Sequence, residues 1–236
     1  RSARAGGDAR KTGAPPRTDA AARNHGFDRK EGAGAAADTV APAEDVNVMT
    51  LVGIVLTIKE KISCWPVAIV GILAYLIVFI RARLYADSAL QPIYVVQNVY
   101  GWWYWAHGGA RGQGQAPIVT LSWRNRAAWL TGTAIVSLIV GAGLARWTNA
   151  AAPYADAALS TTSLVANWLL ARKVLENWWL WIAVNIGYVV LFWKKQLLLS
   201  ASLYAVLLAL AVAGLIEWQR SRARHKEDYR LGLSIP

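Results

Sequence analysis

The sequence predicts an all-α membrane protein with seven transmembrane helices, arranged as two parallel three-helix repeats joined by a linker helix. Hydrophobic residues make up 56% of the 236 positions, and long runs such as 67–80 and 197–216 contain no charged residue. A helix that is apolar on every side is either deeply buried or in lipid, and a domain of this size can bury only one or two such helices. Because several runs occur, we expect a polytopic membrane protein.

Residues 1–47 differ in composition from the rest of the chain. Ala, Gly, Arg, Asp and Pro dominate, and eight Lys and Arg are nearly cancelled by seven Asp and Glu. Such a segment buries too little apolar surface to offset the entropy lost on ordering. We expect a disordered N-terminal tail, and we interpret it as an artefact of the start site rather than as a regulatory segment.

From residue 48 onward, apolar runs alternate with short charged links. Seven spans are expected: Val48–Ile58, Trp65–Ile80, Ile93–His107, Ala127–Trp147, Ala155–Ala171, Trp178–Trp193 and Leu197–Trp218. Several are shorter than the ~20 residues that cross the hydrocarbon core of a bilayer, so flanking Lys, Arg, Trp and Tyr must extend them. The first span is the shortest. These spans form a domain over residues 48–219, and residues 220–236 form a basic tail.

Lys and Arg fall unequally on the two sides of this arrangement. The links after the first, third and fifth spans, together with the C-terminal tail, hold twelve of them, whereas the other links hold five. Lys and Arg concentrate in cytoplasmic loops. We therefore expect the C-terminus in the cytoplasm and, with seven spans, the N-terminus outside. The formal net charge of +11 is thus an orientation signal rather than a sign of nucleic-acid binding.

Two spacings of Trp and Gly recur along the chain. Trp65 precedes Gly71 as Trp181 precedes Gly187, and further on Gly101 precedes Trp105 as Gly214 precedes Trp218. The recurrence predicts that spans one to three and five to seven are copies of one unit, with span four as the linker. A linker with one span between two units of three spans gives both copies the same orientation in the membrane. This is the parallel arrangement of SWEET-type sugar transporters.

Polar and aromatic side chains recur at helical spacing on two spans. Binding sites of such proteins lie near the membrane midplane between repeats. The candidate substrate-binding residues are Tyr94, Gln97 and Asn98 on the third span and Trp178, Trp181, Asn185 and Tyr188 on the sixth. Amides bind neutral polar groups, and aromatic faces attract cations and stack on flat rings. This inventory fits a flat, cationic or polar heteroaromatic ligand, although aromatic belts and helix-joining amides use the same residue types.

Other kinds of chemistry have little support in the sequence. The spans are nearly free of acidic residues, which argues against coupling to protons or sodium and against a membrane hydrolase, so we expect neither catalytic residues nor an enzyme. His25, His107 and His225 lie far apart, and Cys64 is the single cysteine, so neither a metal site nor a disulfide is expected. No cofactor is expected either.

Several stretches together resemble the nicotinamide riboside transporter family of bacterial inner membranes (PnuC-type). They are Trp65-Pro66-Val67, Leu84-Tyr85-Ala86-Asp87, Tyr100 to Trp105, Asp156 with Thr161-Thr162-Ser163, Arg172-Lys173, and Glu176 to Trp181 with Asn185. The resemblance covers about residues 50 to 220. It implies a SWEET-like homotrimer of the bacterial inner membrane that passes nicotinamide riboside by facilitated diffusion, with a cytoplasmic riboside kinase trapping the product.

The leading hypothesis, a uniporter for nicotinamide riboside, gives the candidate residues roles. Trp181 and Trp178 would stack on the pyridinium ring, Asn185 and Gln97 would orient polar groups, and Tyr94 and Asn98 would line the path. Gly71 and Gly101 would allow close helix approach. Relatives carry thiamine or riboflavin instead, and thiamine is also a flat cation. A third alternative is a non-transporting membrane scaffold that uses its basic C-terminal tail to hold anionic lipid or a partner.

Overall fold

The structure, a computed structural model, describes residues 48–81, 85–108, 116–148 and 152–230. These residues form seven α-helices and contain no β-strand. The helices are α1 (Val48–Ile58), α2 (Cys64–Arg81), α3 (Tyr85–His107), α4 (Trp123–Trp147), α5 (Pro153–Ala171), α6 (Asn177–Lys194) and α7 (Leu198–Arg230). The predicted N-terminal tail and residues 231–236 lie outside the described residues.

Helices α3 and α7 extend furthest beyond the predicted spans. Helix α3 begins at Tyr85 rather than Ile93, and Pro92 lies inside it. The predicted span begins just after Pro92, whereas the helix continues through it, although proline lacks the N–H that bonds to the preceding turn. Helix α7 ends at Arg230 rather than Trp218, and an ion pair of 3.0 Å joins Arg224 to Glu217 in its polar extension. Apolar span length therefore underestimates α7, because the helix continues beyond its hydrophobic part.

Three of the described helices are long and apolar enough to cross a membrane by length and composition alone. They are α2, α4 and residues Leu198–Glu227 of α7. Helices α3, α5 and α6 have the length but a lower hydropathy: α3 and α5 carry polar side chains, including a run from Ser160 to Ser163 in α5, and α6 carries four tryptophans. Helix α1 is apolar but short. The polar helices must therefore depend on their neighbours to cover their amides and hydroxyls.

The helices pack in a defined order. Helix α2 packs on α3, α6 on α7, and α5 on α3, α4 and α6. Glycines set two of the contacts: a Cβ atom on Gly141 would lie 2.6 Å from the Tyr154 ring, and one on Gly187 would lie 2.5 Å from Leu159. Large apolar side chains along α4, such as Leu138 and Ile139, are exposed. Helix α4 therefore lies at the edge of the bundle, on α5.

Four tryptophans form the centre of the core, and we call them the tryptophan layer: Trp65, Trp105, Trp178 and Trp218. Trp65 meets Trp105 edge to face at 5.2 Å between ring centroids, and Trp178 meets Trp218 in the same geometry at 5.5 Å. The Trp105 and Trp218 rings lie 5.9 Å apart and join the two pairs. Each pair is contributed by two helices, α2 with α3 and α6 with α7.

Two glycines make room for this layer. A Cβ atom on Gly101 would lie 2.3 Å from the Trp65 ring, and one on Gly214 would lie 2.4 Å from the Trp178 ring. The prediction that Gly101 allows close helix approach is therefore confirmed. The same prediction for Gly71 is wrong, because a Cβ atom there would meet no atom within 4 Å.

Equivalent contacts recur at a fixed separation of 113 residues, which is also the separation of Glu60 and Lys173: Gly101 lies against the Trp65 ring, and Gly214 lies against the Trp178 ring. In these contacts Trp178 is the counterpart of Trp65, whereas the Trp–Gly spacing paired Trp65 with Trp181. Two backbone hydrogen bonds recur at the same separation: Lys61 N donates to Leu56 O, and Val174 N donates to Leu169 O, both at 2.9 Å. The Trp–Gly spacing was ambiguous in α6 because three tryptophans there lie within four positions.

The links between α1 and α2, α3 and α4, and α5 and α6 meet the end of α7 at one end of the bundle. We call this end the basic end, and it comprises residues 59–63, 116–122, 172–176 and 217–230. Val119 N donates to Lys173 O at 3.0 Å, and Arg222 bonds to the Thr120 hydroxyl at 3.1 Å. Most of the basic residues that the sequence assigned to one side therefore lie at one physical end. Arg111 lies outside the described residues.

A buried ion pair joins the two halves at the basic end. Lys173 is 1% exposed, and its ammonium lies 2.9 Å from the Glu60 carboxylate and 4.6 Å from the centre of the Trp105 ring. The Ser221 hydroxyl donates to the other Glu60 oxygen at 2.7 Å. Burial raises the pKa of Glu60, but the Ser221 hydrogen bond and the Lys173 charge outweigh it and lower the pKa below its usual value. Glu60 is therefore held ionised.

Candidate binding cavity

A cavity of about 490 Å³ lies above the tryptophan layer, within the range of small-molecule sites. Six helices contribute to its lining, and α4 does not. Its polar and aromatic lining residues include Thr57, Trp65, Tyr75, Gln91, Tyr94, Asn98, Ser160, Ser163, Asn167, Trp178, Trp181, Asn185, Tyr188 and Tyr204. The cavity therefore lies between the two groups of helices that α4 separates in sequence.

Six of the seven predicted binding residues line this cavity: Tyr94, Asn98, Trp178, Trp181, Asn185 and Tyr188. Asn185 is 5% exposed, and its amide makes no hydrogen bond within the described part of the chain. Asn98 donates to Tyr94 O at 2.7 Å, which leaves its amide oxygen available. The two helical faces that the sequence singled out therefore meet around one space.

Gln97, the seventh predicted residue, lies behind the cavity. Its amide nitrogen donates to Leu164 O at 3.3 Å, and its amide oxygen accepts from Asn167 at 2.8 Å. Asn167 does line the cavity. Gln97 therefore holds another amide in place, and both of its hydrogen bonds go to α5.

Helix α5 supplies polar residues that the sequence analysis missed. Ser160, Ser163 and Asn167 all line the cavity. They are spaced three and four positions apart, which places them on one helical face. That spacing is readable in the sequence, but this face of α5 has no aromatic side chain, unlike the predicted binding faces of α3 and α6.

Trp178 is placed differently from the predicted stacking role. It is 3% exposed, its ring lies against Gly214, and Trp218 meets it edge to face. Little of its ring face is left for a ligand. Trp181 is only half-buried and lines the same cavity, so its ring is the more accessible of the two.

A second group of aromatic side chains lies toward the other end of the cavity. Tyr188 and Tyr204 have ring centroids 4.6 Å apart, and Tyr75 stacks on Phe79 at 5.6 Å. Trp65 and Tyr75 are ten residues apart on α2, or about 15 Å along a helix. The cavity is thus bounded along the bundle axis by tryptophans on one side and tyrosines on the other.

The cavity lining contains no charged side chain among the described residues. The described residues also contain no cluster of three His, Cys, Asp or Glu side chains that could hold a metal ion. Hydrogen-bonding amides, hydroxyls and aromatic faces remain. Such a lining can bind a neutral polar molecule, or a cation through its aromatic faces.

A second cavity of about 410 Å³ lies at the basic end, between α4, α5, α6 and α7. Its charged residues include Arg126 and Glu176, which already form an ion pair of 2.7 Å, and Glu176 also accepts from Leu121 N at 3.2 Å. None of the residues of α1, α2 or α3 lines it. This cavity therefore lies to the side of the space that the predicted binding residues share.

Six described helices around a cavity lined by amides, hydroxyls and aromatic rings are the architecture of a multi-pass membrane protein that binds a small molecule, and the family match makes it a membrane transporter. The family described as nicotinamide mononucleotide transporter matches residues 46–220, and the chain belongs to that family.

Named relatives and a solved structure are similar over most of the chain. The nicotinamide riboside transporter PnuC of Escherichia coli (strain K12) is 25% identical over 199 residues, covering 74% of this chain and 83% of the relative. The riboflavin/roseoflavin transporter RibM of Streptomyces davaonensis is 23% identical over 174 residues, covering 73% and 81%. The crystal structure of the vitamin B3 transporter PnuC matches with a TM-score of 0.62 and 25% identity, over 78% of this chain and 83% of that one.

Proposed function

We propose that this protein imports nicotinamide riboside by facilitated diffusion. The observation that carries the proposal is the uncharged cavity lined by amides and aromatic rings, in a chain that belongs to this family. The riboside has a flat cationic ring, a carboxamide and ribose hydroxyls. Aromatic faces attract the cationic ring, and amides and hydroxyls bind the carboxamide and the ribose hydroxyls.

The lining favours the riboside over the mononucleotide that gives the family its name. A phosphate group carries one to two negative charges, and proteins bind it with Arg, Lys or a helix N-terminus. The described cavity lining has neither Lys nor Arg. Bringing a phosphate into this space would cost much of its hydration energy without a compensating cation.

The same lining supports uncoupled transport. Proton- and sodium-driven carriers use buried carboxylates or histidines, and the described lining contains none. Net uptake then needs a sink for the substrate inside the cell. A cytoplasmic riboside kinase supplies that sink in this proposal, because the phosphorylated product would no longer fit the cavity.

The residue roles follow from the placement of the side chains. Trp181 stacks on the pyridinium ring, and Asn185 and Asn98 orient the polar groups. Tyr94 and Tyr188 complete the walls. Gln97 acts indirectly, through its 2.8 Å hydrogen bond with Asn167.

The fold in this proposal is the parallel arrangement of three, one and three helices. Its support is the set of equivalent contacts 113 residues apart: Trp65 with Gly101 and Trp178 with Gly214, or Trp105 bonded to Leu170 O and Trp218 bonded to Thr57 O. Helix α4, at the edge of the bundle, is the linker. Such a SWEET-like arrangement binds substrate between its repeats.

The setting in this proposal is the bacterial inner membrane, with the basic end in the cytoplasm and the N-terminus outside. Clustering of the links rich in Lys and Arg at the basic end supports this orientation. The assembly is a homotrimer, as the resemblance implies, and the exposed apolar side chains of α4 offer a surface for lipid or for a neighbouring protomer.

Isothermal titration calorimetry on the purified protein tests the substrate. We expect heat on titrating nicotinamide riboside and none with nicotinamide mononucleotide. Binding should weaken in Asn185→Ala and Trp181→Ala, whereas Trp193→Ala, at an exposed position outside the cavity, should bind as the unchanged protein does.

The same titration separates the alternatives. Binding of riboflavin without riboside binding would favour the activity named for the Streptomyces relative, and binding of thiamine alone would favour a carrier of that vitamin. Binding of none of these compounds, by protein that is folded, would favour a membrane scaffold.

A further inference from the structure

The four rings of the tryptophan layer differ in what their indole N–H groups bond to. Trp105 donates to Leu170 O at 3.3 Å, and Trp218 donates to Thr57 O at 3.2 Å. Trp65 and Trp178 donate to no acceptor in the described part of the chain, although both nitrogens are fully buried. The two unpaired donors stand at equivalent positions, 113 residues apart.

The unpaired donors belong to the two rings that line the central cavity. Trp65 and Trp178 are lining residues and Trp105 and Trp218 are not. Trp65 is 1% exposed and Trp178 is 3% exposed. A buried N–H without an acceptor is unfavourable, and such groups are rare in folded proteins unless water or a ligand bonds to them. An acceptor is therefore expected from the contents of the cavity.

The ring faces of these two tryptophans are already used. Gly101 lies against the Trp65 ring and Gly214 against the Trp178 ring, while Trp105 and Trp218 meet them edge to face. Stacking on a ligand is thus left to Trp181. What Trp65 and Trp178 can still offer is one N–H donor each, because indole has no acceptor.

We propose that Trp65 and Trp178 form a pair of donors that bind hydroxyl oxygens of the transported molecule, that is, its sugar or sugar-alcohol part. A hydroxyl oxygen can accept from an indole while its own hydrogen donates to an amide oxygen such as that of Asn98. A neutral acceptor fits a lining without cations. This inference rests on the proposed function, and it assigns Trp65 to a site that the sequence analysis did not include.

The test removes the donor and keeps the shape of the ring. Stop-codon suppression replaces Trp65 or Trp178 by 3-benzothienylalanine, in which sulfur stands where the N–H was. Calorimetry then compares nicotinamide riboside with 1-methylnicotinamide, which has the same cationic pyridinium ring and carboxamide but a methyl group in place of the sugar. We expect riboside binding to weaken about 3- to 10-fold at each position, and 1-methylnicotinamide binding to stay unchanged.

The same replacement at Trp105 is the matched control. Its N–H bonds to the backbone at 3.3 Å and it does not line the cavity, so thermal stability should fall while the affinity ratio of riboside to 1-methylnicotinamide stays as in the unchanged protein. Unchanged riboside affinity in both folded cavity variants would overturn the inference. An equal loss for 1-methylnicotinamide would also overturn it, because the acceptor would then be the carboxamide.

Failure of the proposed function has a different signature. If the unchanged protein binds riboflavin and no riboside, the substrate is wrong, and the same variants are titrated with riboflavin and with lumiflavin, which keeps the flavin ring and has a methyl group in place of the ribityl chain. A variant that loses affinity for riboflavin alone then supports the donor pair. A variant that binds riboflavin as tightly as the unchanged protein does overturns it. Binding of no hydroxylated vitamin by the unchanged protein overturns both.

Discussion

Gln97 illustrates how a residue can matter for a site that it does not touch. Its side chain lies behind the cavity and bonds to Asn167 at 2.8 Å and to Leu164 O at 3.3 Å. Asn167, on the cavity wall, has its amide nitrogen directed by this contact. An effect of Gln97 on binding should therefore pass through Asn167.

A double-mutant cycle tests this dependence. Gln97→Ala should weaken riboside binding, and Asn167→Ala should weaken it by a similar factor, because both remove the same oriented amide. The double variant should lose little more, with a coupling energy on the order of 1 kcal/mol. Calorimetry measures all four corners, and strictly additive losses would assign Gln97 an independent contact with the substrate.

The Glu60–Lys173 pair predicts a pH-dependent contribution to stability. Removing one partner of a buried pair leaves the other charge uncompensated, so Glu60→Gln should lower the free energy of unfolding by about 1–3 kcal/mol at neutral pH. Glu217→Gln is the matched control, because its partner Arg224 is exposed and such pairs contribute about 0–1 kcal/mol.

The sign of the pH effect follows from the lowered pKa of Glu60. A carboxyl whose pKa is lower in the folded state stabilises the fold above its ordinary value, here 4.5, and this contribution is lost as the pH falls through the lowered value. Thermal unfolding in detergent should show the gap between Glu60→Gln and the unchanged protein narrowing in acid. A gap that widens there would contradict the ion-pair account.

At the scale of helices, glycines beside tryptophans set the distances within each half. Gly101→Ala and Gly214→Ala would place a Cβ atom 2.3 Å and 2.4 Å from an indole ring, so the ring or the helix must move. Overpacking of this kind costs about 1–3 kcal/mol. Gly132→Ala is the control, since a Cβ atom there meets nothing within 4 Å.

Thermal melting of the purified variants measures these costs. We expect both tryptophan-layer variants to melt below the unchanged protein by similar amounts, because the two sites are equivalent. Gly132→Ala should melt at or above it, since alanine favours helix over glycine. A loss at one layer position alone would contradict the equivalence of the halves.

The elements were largely predictable from the sequence, and the exceptions have physical reasons. Apolar runs located every helix, but they could not show that α7 continues to Arg230, because its last turns are polar. The start of α3 was placed too late because Pro92 is usually a helix start. The Trp–Gly spacing predicted a repeat, but its register required contacts: Gly214 and Trp218 lie against the Trp178 ring rather than against its neighbours in sequence.

The residues that line the cavity were predictable to a similar extent. Polar and aromatic side chains at helical spacing identified the cavity faces of α3 and α6. Gln97 and Asn98 are neighbours in sequence, and only the packing of α5 on α3 separates the residue behind the wall from the one that lines it. Which indole donors lack acceptors depends on contacts between distant residues, so sequence spacing carried no signal for Trp65.

For the whole molecule, the gathering of links at the basic end predicts the orientation in the membrane. With Cys64→Ala as background, Lys226→Cys marks the basic end and Lys195→Cys marks the opposite end, and both positions are exposed. A membrane-impermeant maleimide should label Lys195→Cys in intact spheroplasts and label Lys226→Cys only after the membrane is opened. The reverse pattern would place the basic end outside.

The most direct test of the central claim is counterflow of radiolabelled nicotinamide riboside into liposomes that contain the protein and no ion gradient. The account predicts that label accumulates transiently when the lumen holds unlabelled riboside, that luminal mononucleotide does not replace it, and that Asn185→Ala abolishes the effect. Absence of counterflow with folded protein, or accumulation only when a proton or sodium gradient is imposed, would contradict it.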